Sequence, residues 1–151
     1  MLVPLAALGS IALAVRAPWR RTFGPLVALV ALAGALSTTG AKLAGDQLAA
    51  YLAAAGQDPA PLAAHGRFGL YTLLSVWPFA VLAVAAAVLA RRDRSAETGG
   101  GHRTATTLAA TSTPVTVTTW LAALAGVIAL AFTVLAGDSG SRLVWGFVTG
   151  G

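Results

Sequence analysis

The sequence predicts an all-α integral membrane protein built as a four-helix bundle, and three observations predict it. The 151-residue chain is 57% hydrophobic and 10% charged, with a mean hydropathy of +0.78, whereas soluble domains carry roughly 25% charged residues. Residues Phe68 to Ala90 contain no charged side chain, a run longer than the ~20 residues a helix needs to cross a hydrocarbon core of about 30 Å. Seven of the ten basic residues fall in two short segments beside apolar runs, the pattern that orients a membrane protein. That grouping argues against nucleic acid as a partner despite the net charge of +5. Cysteine is absent, which removes disulfides, thiolate metal sites and cysteine nucleophiles.

Span one is read over residues 2–16. It is apolar apart from Ser10 until Arg16 stops it. Its positive charge follows the apolar run, the reverse of a secretory signal, and about 14 residues are short for a span. Either it crosses incompletely or residues upstream of Met1 complete it, and the second reading is favoured. Arg16 to Arg21 reads as a tight basic loop carrying Trp19. Span two covers about 23–43, with Lys42 reaching outward at its end. Lys42 and Asp46 are spaced to pair on a helix, and Asp46 to Ala55 reads as a short interfacial extension ended by Gly56.

Asp58 and Pro59 predict the next helix start, the carboxylate capping free amides and the proline fitting the first turn. The third span is placed at about 66–90, with His65 just before it. Pro78 predicts a kink, its freed carbonyl near Leu74 answered by Thr72, Ser75 or a neighbouring helix. Residues 91–114 read as a flexible cytoplasmic loop, rich in arginine, then glycine, then threonine. His102 lies in it and is not read as a ligand. Span four covers about 117–137, ended by Gly137 to Arg142, with Leu143 to Val148 as an interfacial tail.

Orientation follows from the basic residues. Arg16, Arg20 and Arg21 on one loop, and Arg91, Arg92, Arg94 and Arg103 on the other, place both loops in the cytoplasm. Both termini are then outside. Trp19 and Trp120 fall at the inner interface, and Tyr51, Phe68, Tyr71 and Trp145 at the outer.

This topology gathers the polar residues that could carry chemistry at the outer face: Lys42, Asp46, His65, Asp138 and Arg142. They form either a small pocket or the ordinary polar ends of packed helices. Ionisable groups near a membrane tend to be functional, which keeps the pocket reading open. No phosphate-binding loop, metalloprotease histidine pair or Ser-His-Asp spacing is present. A bis-histidine haem needs two membrane-facing histidines, and this chain offers His65. A metal ligated by His65 with Asp46 or Asp138 has no specific spacing behind it. Gly34, Ser37, Thr38 and Gly40 read as a helix-packing face.

The tail Gly137-Asp138-Ser139-Gly140-Ser141-Arg142-Leu143-Val144-Trp145-Gly146 resembles the closing motif of the Domain of Unknown Function 2231 family, small bacterial four-helix membrane proteins in which it usually reads Gly-His-x-Gly followed by Val-Trp or Val-Tyr. Similar too are Val3-Pro4-Leu5-Ala6-Ala7-Leu8-Gly9, the basic loop ending Trp19-Arg20-Arg21, the segment Thr39-Gly40-Ala41-Lys42-Leu43-Ala44, and His65 with Gly69. The resemblance covers nearly the whole chain and implies the bacterial cytoplasmic membrane. Two departures stand out. Members usually begin with a His-Pro segment ahead of the Val-Pro-Leu stretch, and the histidine of the closing motif is here Asp138. Relatives fused to redox domains imply an association with haem or electron transfer.

The expected function is therefore a structural or interaction module of the membrane, with the lipid bilayer and either itself or another membrane protein as partners. No reaction is read from the residues and no cofactor is predicted. The alternative is a redox-associated module binding haem or a metal at its outer face through His65. A small-solute or proton conduit is disfavoured by the scarcity of ionisable groups in mid-span.

Overall fold

A computed structural model describes residues 1–58, 60–99 and 113–149, whose regular elements are four helices: α1 (Leu2–Val15), α2 (Ala17–Ala54), α3 (Ala60–Gly99) and α4 (Thr113–Thr149). Three of them contain stretches long and apolar enough to cross a membrane, within Ala17–Ala54, His65–Ser95 and Thr113–Arg142. The apolar α1, at 14 residues, is shorter. Helix α1 packs on α2 and α4, and α3 packs on the same two.

The junctions follow from local chemistry. Arg16 alone leaves helical geometry between α1 and α2, with φ −113° and ψ 88°. Pro18 falls in the first turn of α2, where its missing N–H costs nothing. The Arg16–Arg21 stretch is therefore the opening of α2 rather than a loop, and α2 begins ahead of the expected Phe23. Gly56 adopts φ +74° after α2, a left-handed conformation that favours glycine. The Asp58 carboxylate accepts the Ala60 amide hydrogen at 2.9 Å, the cap expected from the sequence.

Two other boundaries differ from expectation. Residues 91–99, read as the start of a flexible loop, continue α3. The Ser95 hydroxyl donates to the Arg91 carbonyl, and Arg94 donates to the Arg21 carbonyl at 2.8 Å, fixing the end of α3 to the start of α2. The rest of the expected loop up to residue 112, with His102 and Arg103, lies outside the described residues. Gly137 to Arg142 do not end the fourth helix, which runs on to Thr149. The Ser139 and Ser141 hydroxyls donate to carbonyls three residues back, and Arg142 pairs with Asp138 at 2.8 Å. Those local bonds hold the turn helical despite its glycines.

The core runs along stripes of small residues at helical spacing: Gly24, Ala28, Ala31 and Ala35 on α2 face Val76, Phe79, Ala80, Ala83 and Ala87 on α3. Phe79 is the largest fully buried side chain. Long apolar side chains point the other way, with Leu5, Leu29, Leu74, Val81, Leu124 and Val134 each about 60% exposed or more. Small residues inside and large apolar ones outside reverse the order of a water-soluble helical protein, whose surface rarely shows contiguous apolar area. Close backbone approach then supplies dispersion contacts between helices. Helix α3 passes through Pro78 unbroken. Thr72 and Ser75, candidates to answer the Leu74 carbonyl, donate instead to Phe68 and Thr72.

Candidate functional site

At the end where α2 and α4 finish and α3 starts, Lys42 of α2 and His65 of α3 line one cavity of about 180 Å³ with Thr38, Thr72, Thr133 and Ala136. The His65 Nδ1 lies 3.2 Å from both the Ala136 carbonyl oxygen and the Ser139 hydroxyl of α4. A carbonyl only accepts, so the contact with Ala136 is a hydrogen bond in the tautomer that carries a proton on Nδ1. Ser139 in turn donates to Ala136 at 2.9 Å. In that tautomer His65 donates, and the Ser139 hydroxyl keeps its bond to Ala136.

One glycine lets α4 come this close to the imidazole, and a second stands in ordinary contact with Lys42. A Cβ on Gly140 would come within 3.1 Å of His65 Cε1, and one on Gly69 within 3.5 Å of Lys42 Cδ. The Lys42 stem runs beside Gly69 of α3 while its ammonium pairs with Asp46 at 2.5 Å. The hydroxyls of Thr38, Thr72 and Thr133 each donate to the carbonyl four residues back, so toward the cavity they offer acceptor lone pairs.

The five residues read from the sequence do not form one cluster. Lys42 and His65 share the cavity. Asp46 is exposed and reaches the half-buried Lys42 from outside the cavity, and Asp138 pairs with Arg142 along the exposed face of α4. Among the described residues no group of three or more His, Cys, Asp or Glu side chains could hold a metal. Among the described residues, those around His65 offer a carbonyl, hydroxyls and the Lys42 ammonium that Asp46 holds. Of the expected packing face on α2, Gly34 meets Val3 of α1 and Thr38 borders the cavity, whereas Ser37 and Gly40 face outward.

The opposite end holds a buried arginine that the sequence reading treated only as an orientation signal. Arg20 is 5% exposed. Its Nε donates to the Leu13 carbonyl at 2.7 Å, one Nη to the Ala14 carbonyl at 2.8 Å, and the other to the Thr116 hydroxyl at 3.1 Å. It ties the end of α1 to the starts of α2 and α4. A signal for it existed: Arg20 continues the buried stripe Gly24, Ala28, Ala31, Ala35 by one helical turn.

These elements define a class: an all-α protein with three helices long and apolar enough to span a membrane. No family model matches the chain, and comparison with curated proteins and with solved structures gives no match.

Proposed function

We propose that the chain is a multi-pass protein of the bacterial cytoplasmic membrane, related to the Domain of Unknown Function 2231 family, and that it serves as a structural or interaction module there. The observation that carries this is the reversed distribution of side chains, small within and large apolar without, over helices of membrane-spanning length. In this reading the four helices form a bundle with both termini outside and the arginine-rich ends in the cytoplasm. The chain has no cysteine, so single introduced thiols report sidedness. A cysteine at Gly56 should react with an impermeant thiol reagent in intact cells, and one at Gly100 should react only after permeabilisation. The reverse pattern would overturn the orientation.

The interaction role is supported by what α2 leaves uncovered. Ser37, Gly40 and Ala44 are exposed at helical spacing, and a Cβ on Gly40 meets nothing within 4 Å. Small residues at such spacing let two membrane helices approach closely. A cysteine at Gly40 is expected to give a disulfide-linked dimer in oxidised membranes, while one at Leu29, on the same helix, gives none. Equal cross-linking at both positions would count against a specific face.

A further inference from the structure

A groove opens between α2 and α3 near the arginine-rich end, lined by Pro25, Leu29 and Leu32 on one side and by Val84, Val88 and Arg91 on the other, with a volume of about 280 Å³. We propose that this groove holds an acyl chain of an anionic phospholipid whose phosphate rests on Arg91. The inference rests on the reading of these helices as membrane spans.

Length and chemistry argue for a lipid rather than a helix. Pro25 to Leu32 and Val84 to Arg91 each extend about 10 Å at 1.5 Å per residue. That is about a third of a hydrocarbon core, too short a seat for a partner helix and suited to the part of a chain nearest its headgroup. Arg91 is the polar residue in an otherwise apolar wall. Its guanidinium can hold a phosphate through two parallel hydrogen bonds.

Charge at this end is complementary to an anion. Arg16, Arg20, Arg21, Arg91, Arg92 and Arg94 stand against Asp93 and Glu97 in sequence. Arg20 is committed to the carbonyls of α1, and Arg94 to the carbonyl of Arg21. The Arg91 side chain makes no hydrogen bond or ion pair among the described residues. The larger groove between α1 and α2, about 410 Å³ and lined by Leu5, Trp19 and Phe23, has no cation in its wall. Arg16 beside it packs over the Trp19 ring at 4.9 Å. That groove has no means of selecting a headgroup.

The test is native mass spectrometry of the full chain in nonionic detergent, titrated with phosphatidylglycerol or with phosphatidylcholine of identical chains. The wild type should retain phosphatidylglycerol about fivefold better, the scale of one arginine acting on an anionic lipid. Arg91→Gln should abolish the preference, Arg91→Lys should keep part of it, and Arg16→Gln should leave it unchanged. Val88→Trp, which fills the groove, should lower retention of both lipids. Equal retention by the wild type, or a preference that survives Arg91→Gln, overturns the proposal. So does a Val88→Trp variant that changes oligomeric state but not lipid retention, since a second copy would then occupy the groove. Release of the wild type from membranes by alkaline carbonate, scored before any lipid is added, would overturn the membrane reading and this proposal with it.

Discussion

Replacing Arg20 by methionine is expected to loosen α1 from the rest of the protein. The last carbonyls of a helix have no intrahelical donor. In α1 the Ala12 carbonyl accepts the Arg16 amide, and the next two, on Leu13 and Ala14, accept Arg20. Methionine preserves most of the side-chain volume, so the loss is one of hydrogen bonds rather than packing. Each carbonyl left buried without a donor costs about 1–3 kcal/mol, and the tie to Thr116 on α4 goes as well. Among the described residues, no buried side-chain nitrogen or oxygen lacks a partner; the variant would leave the Thr116 hydroxyl without this donor. Arg20→Lys should fall between, because an ammonium on a flexible stem is a point charge and not a planar fork. Arg16→Gln is the control, removing an exposed cation over a ring worth roughly 0.5–1 kcal/mol. The thermal midpoint in detergent measures the ranking, and hydrogen exchange should show α1 opening first. A methionine variant with the wild-type midpoint would show that the fork contributes nothing.

Arg20 also marks where the sequence stops being informative. Its partners are mostly main-chain carbonyls of another helix, which no pattern of side chains displays, while arginines beside an apolar run are sufficiently explained by orientation. The four helices themselves were legible, because uncharged runs and the Asp58 cap act within a few residues of where they are read. Helix ends were less so. Gly137 and Asp138 look like a stop signal, yet serine hydroxyls and the Asp138–Arg142 pair carry α4 through them. The candidate site divides in the same way. Lys42 and His65 do converge on one cavity, as the shared end of their helices implied. Asp138 does not join them, since at about 100° per residue it lies on the far side of α4 from Ala136 and Gly140, which face His65. Gly140 belongs to the closing motif and Ala136 lies just ahead of it, and neither small residue carries a chemical signal of its own.

The second large effect is expected at Gly126, where α4 packs tightly against both α3 and α1. A Cβ there would lie 3.1 Å from Phe79 Cε2 on α3 and 3.3 Å from the Ala7 Cα on α1. Neither atom can yield easily. Phe79 is fully buried, and the Ala7 atom is backbone in a helix whose own side chain is also fully buried. Gly126→Ala should therefore destabilise even though alanine is the better helix former by about 1 kcal/mol, and Gly126→Val should do so more. Overpacking of this kind typically costs about 1–3 kcal/mol, occasionally more. Gly137→Ala, with nothing within 4 Å of its added carbon, should be neutral or slightly stabilising. A double-mutant cycle separates the two contacts. Phe79→Leu removes the ring edge, so it should recover part of the loss from Gly126→Ala but leave the part due to α1. Full recovery would mean that α1 moves freely against α4, and no recovery would mean that the helix backbones alone set the spacing. Thermal midpoints of the four proteins in one detergent decide among these, and partial recovery is the expected result.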